Sequence, residues 1–305
     1  MAGVPRTWRE LRAEVSARLA RAGVVHPEAE AGWMLERASG YDAAELLVAA
    51  SEPAPERAAR GVTGMVERRA AGEPLQYVLG VWAFGELELL VDRRVLIPRP
   101  ETEVVAEVAI EEAVRLGARR GRGDPWAAGA TSFVVADLGT GSGALALALA
   151  AALPDVAVWA TDTSADALAV ARANLAGAGL PATRVRLAQG SWYSALPGEL
   201  AGVLRLVVSN PPYVAAREVV DLPREVADHE PRDALVSGPT GLEAITAVVR
   251  DAPAWLEPGG VLVCELAPHQ AGAAIERARA AGFAEVVVRP DRAGRDRVLV
   301  ARRAR

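Results

Sequence analysis

The stretch FVVADLGTGSG, residues 133–143, decides the fold class of this chain. Its apolar half predicts a buried β-strand, and the run ALALALAAAL at 144–153 predicts a helix directly after it. The glycines at 139, 141 and 143 permit a tight turn and let the backbone approach a ligand closely. A glycine loop between a strand and a helix is typical of the carboxyl edge at which open parallel sheets bind nucleotides.

Further strands are predicted on the carboxyl side of this loop. Together with the first, the predicted strands are Phe133–Asp137, Val156–Thr161, Val185–Ala188, Leu204–Val208, Val261–Leu266, Glu285–Arg289 and Arg297–Ala301. The first five are separated by stretches of the right length for a mostly parallel sheet that is covered on both faces. A short turn joins the last two, so they should be antiparallel neighbours. We expect an α/β domain over 101–305, a Rossmann-like seven-stranded, mostly parallel sheet with a terminal antiparallel strand.

Two regions precede this domain. Over residues 1–72 apolar residues recur at helical spacing, which predicts a small helical domain of four or five short helices. Residues 73–100 are rich in Val, Leu and aromatic residues around Gly80 and Gly85, and they predict a β-hairpin connector. Pro100, followed by acidic residues, then predicts a helix that runs to about Leu116.

The composition excludes two classes of protein. The chain has 305 residues, of which 51% are hydrophobic, and 34 basic against 39 acidic side chains leave a formal charge of −5. These numbers exclude a disordered chain and a polycationic nucleic-acid binder. A single cysteine, Cys264, and the lack of an apolar run near the ~20 residues that span a bilayer predict a soluble cytoplasmic protein without membrane contact. The basic loop at 117–130 is interpreted as a solvated insertion, with nucleic-acid contact as the alternative.

Two carboxylates near the glycine loop indicate the kind of ligand. Asp162 ends the second strand, 19 residues beyond Gly143, where a carboxylate can accept hydrogen bonds from both ribose hydroxyls of an adenosine. Asp137 precedes the glycines and would repel a phosphate but attract a cationic ligand. S-adenosylmethionine carries a sulfonium and an ammonium group and no phosphate, so it is favoured over a dinucleotide. The alternative for Asp137 is a cap for amides of the loop.

The fourth strand delivers Asn210-Pro211-Pro212-Tyr213 to the same edge. The prolines hold an extended backbone and supply no N–H groups, so the Asn210 side-chain oxygen and the Pro211 carbonyl can accept both hydrogens of a planar substrate nitrogen. Tyr213 would cover the flat face of that substrate and exclude water.

At this point the chain resembles a known family. NPPY after DLGTGSG is similar to methyltransferases that modify an amide or exocyclic amine, and more narrowly to the bacterial HemK/PrmC family. The resemblance covers nearly the whole chain, including GEPLQYVLGVWAFGELELLVDRRVLIPRPETE at 72–103 and HEPRDALVSGPTGLE at 229–243, which are more specific to the family than NPPY.

The resemblance implies an activity and its partners. It implies a class I methyltransferase fold, with methyl transfer from S-adenosylmethionine to the glutamine N5 of the Gly-Gly-Gln motif in class-1 peptide-chain release factors, which modulates translation termination. The product would be S-adenosylhomocysteine. We expect a monomer that needs no metal and binds no nucleic acid directly, with the helical domain docking the release factor.

The resemblance also assigns site residues. The cofactor set is Gly139, Thr140, Gly141, Ser142, Gly143, Asp162, Trp192 and Asn210. The substrate set is Asn210, Pro211, Pro212 and Tyr213, with Asn210 and Pro211 as the catalytic pair. One position departs from the family: Ser191 stands before Trp192 where the family often has Asp, so a carboxylate contact to the adenine amine is absent or weaker.

Several residues and functions keep a second interpretation. Trp192 could be core packing, and residues 230–232 could form a substrate-cleft loop or only order the structure. Glu265 is interpreted as satisfying a partner at a strand end, with lining of the cofactor pocket as the alternative. Arg99 with Glu103 is interpreted as an ion pair. The alternative function is N6-adenine methylation of DNA or RNA, and a dinucleotide oxidoreductase or a non-catalytic binding module comes last.

Overall fold

The computed structural model describes residues 6–118 and 133–305 and divides the chain into two compact units. The first unit comprises Met1–Val81 with Pro223–His229, and the second comprises Trp82–Leu222 with Glu230–Arg305. The helices are α1 Trp8–Arg21, α2 Pro27–Ser39, α3 Ala43–Val48, α4 Glu56–Ala70, α5 Leu75–Leu79, α6 Pro100–Arg115, α7 Ala144–Ala152, α8 Ala165–Gly177, α9 Arg224–His229, α10 Arg232–Leu235, α11 Glu243–Trp255 and α12 Ala271–Ala280. The strands are β1 Val81–Phe84, β2 Leu87–Leu90, β3 Phe133–Leu138, β4 Val156–Asp162, β5 Val185–Gln189, β6 Leu204–Ser209, β7 Val214–Ala215, β8 Val236–Gly238, β9 Leu256–Glu265, β10 Glu285–Pro290 and β11 Asp296–Arg302.

The first unit is helical, as predicted. Helix α1 begins at a capping box in which the Thr7 hydroxyl accepts from the Glu10 N–H and the Glu10 carboxylate accepts from the Thr7 N–H. The apolar residues of α1, α2 and α4 meet in one core: Trp8, Leu11, Val15, Leu19, Met34, Leu35, Val62 and Val66 are buried. The helical spacing of the first 72 residues therefore reflects a real packed face.

One stretch of the predicted connector is not a strand. Leu75–Leu79 forms the short helix α5, which starts after Pro74 and ends at Gly80 in the left-handed conformation, with φ 75°. Proline sets the backbone for a helix start, and glycine terminates a helix at positive φ without steric cost. The hairpin itself is confirmed in the shorter pair β1 and β2.

The second unit is built on a seven-stranded sheet with the order β10-β11-β9-β6-β3-β4-β5. Strands β9, β6, β3, β4 and β5 are parallel, and β11 is antiparallel to both β9 and β10. The seven predicted strands and the final antiparallel pair are therefore confirmed. The basic loop predicted at 117–130 lies, from residue 119 onward, outside the described residues.

Both faces of the sheet are covered. Along β3, Phe133 and Val135 belong to one buried cluster, which includes residues of α6 and α7. Val134, Ala136 and Leu138 belong to a second cluster, which includes residues of α11 and α12. A strand buried on both faces explains why its sequence is continuously apolar. No helix in the described part of the chain is long and apolar enough to cross a membrane.

Sheet order places the predicted site. Because β9, β6, β3 and β4 are adjacent and parallel, their carboxyl ends lie at one edge. That edge carries Glu265, Asn210, the glycine loop and Asp162, in this order.

Candidate active site

The glycine loop after β3 adopts a conformation that requires glycine. Gly139, Gly141 and Gly143 have φ of 74°, 56° and 85°, a region that side chains with a Cβ rarely enter. The N–H groups of Gly139 and Thr140 donate to the Thr161 carbonyl at 2.9 and 2.8 Å, so the loop is held against the end of β4. Gly139, Thr140, Gly141 and Ser142 line a cavity of about 630 Å³, and Gly143 is not part of its lining.

Asp162 ends β4 and lines the same cavity. Its Oδ2 accepts from the Gly141 N–H and its Oδ1 from the Ser164 N–H, both at 2.9 Å. These bonds fix the carboxylate at the loop, and each oxygen keeps a lone pair for a ligand hydroxyl.

Asp137 does not face the cavity. It is fully buried beneath the loop, where its Oδ2 accepts from the Thr140 hydroxyl at 2.6 Å and from the Ala146 N–H at 3.1 Å. Burial raises the pKa of Asp137 to about 7, although both hydrogen bonds lower it. The interpretation of Asp137 as an anion beside a cationic ligand is therefore wrong. The alternative, a cap for amides of the loop, is close to what it does: the carboxylate accepts from a loop hydroxyl and from an amide in the first turn of α7.

Trp192 combines packing with a position at the cavity. Its ring packs partly against the second buried cluster and also lines the cavity beside Gly139, where a Cβ would lie 3.5 Å from Trp192 Cζ3. Its φ of 47° is unusual for a residue other than glycine, and such strain is commonly found at functional sites. Ser191, an exposed residue, lines the cavity next to it.

The four residues after β6 are placed differently from one another. Asn210 and Pro212 line the cavity, whereas Pro211 is buried. Tyr213 is half-buried outside the lining, and its carbonyl accepts from Gln270 Nε2 at 2.9 Å. Burial, with a smaller contribution from Glu265, raises the pKa of the Tyr213 hydroxyl, so this group stays neutral. The cover of a substrate face by Tyr213 remains a prediction.

The Asn210 side chain has two distinct ends. Its Nδ2 donates to the Thr102 hydroxyl at 3.0 Å, and that hydroxyl donates to Glu265 Oε2 at 2.7 Å. Its Oδ1 is buried and accepts no hydrogen bond from the described residues. Thr102 lines the cavity but was not predicted from the sequence. The available signal was its place in IPRPETE, residues 97–103.

The 229–243 block contributes both support and lining. Glu230 is buried, forms an ion pair with Arg99, and accepts from the Ile97 N–H at 3.3 Å. The predicted ion pair of Arg99 with Glu103 is therefore wrong, because the Arg99 guanidinium pairs with the buried Glu230 instead. The next residues, 231–234, line the cavity. The ordering interpretation therefore holds for Glu230, and a substrate-cleft role for residues 231–232 stays a prediction. The described residues contain no group of His, Cys, Asp and Glu arranged to hold a metal ion.

Known families and proteins match most of this chain. A family model for the PrmC N-terminal domain matches residues 10–80, and one for the methyltransferase small domain matches residues 128–232. The release factor glutamine methyltransferase of Deinococcus radiodurans is 41% identical over 297 residues, which cover 97% of this chain and 98% of that protein. The enzyme of the same name from Moorella thermoacetica is 41% identical over 298 residues, covering 97% and 99%.

A solved structure supports the fold alone. A methyltransferase from Pyrococcus furiosus superposes with a TM-score of 0.50 at 18% identity, covering 73% of this chain and 92% of that one. The two relatives named above are 41% identical to this chain over almost the full length of both proteins, which shows the family as well as the fold. The chain belongs to the release factor glutamine methyltransferase family.

Proposed function

We propose that this chain transfers a methyl group from S-adenosylmethionine to the side-chain amide nitrogen, N5, of the glutamine in the Gly-Gly-Gln motif of class-1 release factors. The observation that carries the proposal is Asn210 Oδ1, a buried acceptor at the cavity without a partner among the described residues. Leaving a buried oxygen unpaired costs free energy, and a substrate N–H would recover it. The names of the relatives support glutamine over adenine as the bearer of that N–H.

The cavity fits the cofactor that the methyltransferase family implies. Its volume of about 630 Å³ lies within the usual range for small-molecule sites. Asp162 would hold the ribose hydroxyls, the glycine loop would hold the methionine part, and Trp192 would lie against the adenine. S-adenosylmethionine, when bound, supplies a methyl group activated by the sulfonium.

The protein's part in the reaction is orientation and electrostatics. A primary amide nitrogen is a poor nucleophile because its lone pair is delocalised into the carbonyl. Asn210 Oδ1 and the Pro211 carbonyl would accept its two hydrogens, aim the lone pair at the methyl group and stabilise the positive charge that develops on nitrogen. No base is needed before attack, since the methylated intermediate is a strong acid. The described lining of the cavity contains no histidine.

A methylation assay tests this function. The wild-type chain and Asn210→Ala are supplied with methyl-labelled S-adenosylmethionine and either a purified release factor or DNA, and the label is located by mass spectrometry. We expect label on the Gly-Gly-Gln glutamine, none on DNA, and a kcat about 10²- to 10³-fold lower for Asn210→Ala.

Two results would contradict the proposal. Label on DNA with none on the glutamine would favour the adenine alternative. Near-normal methylation by a folded Asn210→Ala variant would remove Asn210 from the mechanism.

A further inference from the structure

Three side chains form a directed hydrogen-bond chain at the edge of the sheet. Asn210 Nδ2 donates to Thr102 Oγ1 at 3.0 Å, and Thr102 Oγ1 donates to Glu265 Oε2 at 2.7 Å. Thr102 is 4% exposed and Glu265 is 1% exposed, so water does not compete for these bonds. A hydroxyl has one proton, and since Thr102 gives it to Glu265, Thr102 can meet Asn210 only as an acceptor.

The fold brings the three residues together from distant parts of the chain. Strands β6 and β9 pair in parallel with Ser209 opposite Cys264, so Asn210, directly after β6, and Glu265, the last residue of β9, lie side by side. Thr102 lies in the first turn of α6. Helix α6 packs on this sheet, where its residues share the buried cluster of β3 and β9.

We propose that Thr102 and Glu265 are positioning residues for the methyl transfer: they hold the Asn210 amide with Nδ2 inward and Oδ1 toward the substrate. This inference rests on the proposed function and deepens it. An amide can turn by 180° with little change of shape, but the reversed Asn210 would present its own N–H groups to the N–H groups of the substrate. Thr102 prevents this because the reversed amide would leave the Thr102 oxygen facing Asn210 Oδ1 without a proton between them.

Glu265 determines the direction of the chain because it acts as the acceptor at Oε2. Burial raises the pKa of Glu265 to about 7, against the effects of Thr102, Arg297 and Tyr213, while Glu101 adds to the rise. The groups around it come from several elements: Glu101 and Thr102 from α6, Tyr213 from the segment after β6, Cys264 from β9 and Arg297 from β11. A proton on Oε2 would reverse the Thr102 hydroxyl and with it the preferred orientation of Asn210.

The first test compares two substitutions at Thr102 in the full-length chain. Thr102→Val keeps the shape and removes the hydroxyl, whereas Thr102→Ser keeps the hydroxyl. We expect Thr102→Val to lower kcat for release-factor methylation about 10- to 100-fold with cofactor Kd close to wild type. Its Tm should fall moderately, because Asn210 Nδ2 and Glu265 Oε2 lose their shared partner. Thr102→Ser should recover most of kcat. A kcat within twofold of wild type for Thr102→Val, or equal losses in both variants, would overturn the inference.

A second readout does not depend on the substrate. In the full-length protein, the side-chain amide ¹H–¹⁵N signals of Asn210, assigned by their loss in Asn210→Asp, report its hydrogen bonds directly. They should move strongly in Thr102→Val and little in Thr102→Ser, and unchanged signals in Thr102→Val would overturn the positioning role. If the wild type methylates no release factor, the proposed function fails, and these signals still decide whether the chain orients Asn210.

Discussion

The carboxyl group of Asp137 makes the stability of this protein depend on pH. Because burial raises its pKa in the folded state to about 7, the folded protein holds a proton that the unfolded chain, with a carboxyl pKa near 3.8, has already released. The contribution of Asp137 to the free energy of unfolding is therefore fully present below about pH 4 and is lost as the pH rises through about 7.

Asp137→Asn should remove this dependence, since asparagine carries no charge and its oxygen can still accept from Thr140 and Ala146. The free energy of unfolding, measured in urea at pH 5 and pH 8, should fall between these values by on the order of 2–4 kcal/mol more in wild type than in Asp137→Asn. Glu265 titrates in both proteins, so the comparison isolates Asp137. If the free energies of unfolding of wild type and Asp137→Asn differ by the same amount at pH 5 and at pH 8, the prediction is contradicted.

Substitution of Ser191 by a carboxylate residue should raise the affinity for the cofactor. It lines the cavity beside Trp192, at the position where the family often has a carboxylate. A carboxylate there would accept a hydrogen bond from the adenine amine, so Ser191→Asp should lower the Kd for S-adenosylmethionine about three- to tenfold.

Calorimetric titration measures this effect, and Ser191→Asn serves as a matched control without the charge. If Ser191→Asp leaves Kd unchanged or raises it, the adenine does not lie against this residue as proposed.

At the scale of elements, Gly241 shapes the segment that follows NPPY. Its φ is 81°, and a Cβ would lie 2.7 Å from the Tyr213 carbonyl oxygen and 3.0 Å from Gln270 Nε2. The same Gln270 nitrogen donates to the carbonyls of Tyr213 and Gly241, both at 2.9 Å. Glycine is therefore needed both for the left-handed backbone and for the close approach.

Gly241→Ala should lower the free energy of unfolding by about 2–4 kcal/mol, from the left-handed conformation and the crowding together. It should also lower kcat, since the backbone that carries Tyr213 must shift. Gly272→Ala is the matched control: Gly272 lies within α12, with no atom within 4 Å of a Cβ, so stability should stay equal or rise slightly. Equal effects of both substitutions in urea unfolding would contradict this account.

At the scale of the whole molecule, one segment of the chain is separated from its neighbours in sequence. Pro223–His229 belongs to the first, helical unit, whereas the residues before and after it, up to Leu222 and from Glu230, belong to the second unit, which contains the sheet. Arg69 holds this segment within the helical unit. Its side chain is 9% exposed, and its guanidinium forms ion pairs with Glu30 at 2.7 Å and Glu225 at 2.8 Å.

Arg69→Ala would leave Glu30 buried without its partner and should lower the free energy of unfolding of the helical unit by about 3–5 kcal/mol. Arg60→Ala, which removes an exposed pair with Glu56, is the control and should change stability little. Thermal unfolding followed by circular dichroism compares the two. A loss in Arg69→Ala no larger than in Arg60→Ala would show that the buried pair does not stabilise the unit.

The sequence by itself determined the seven strands, the parallel core of the sheet and the meeting of the glycine loop, Asp162 and Asn210 at one edge. These features depend on properties that residues carry locally: apolar periodicity, the conformational freedom of glycine and the restrictions of proline. They also follow from a general rule, since parallel strands end at the same edge.

The tertiary structure alone decided how polar side chains pair across that edge. In the tertiary structure Leu75–Leu79 forms a helix, Asp137 lies beneath the glycine loop, and Arg99 forms an ion pair with Glu230. The tertiary structure also joins Thr102 to Asn210 and to Glu265, which lie 108 and 163 residues away in sequence. The physical reason is that burial and hydrogen bonding between distant residues depend on sheet order and helix placement, which no local pattern encodes.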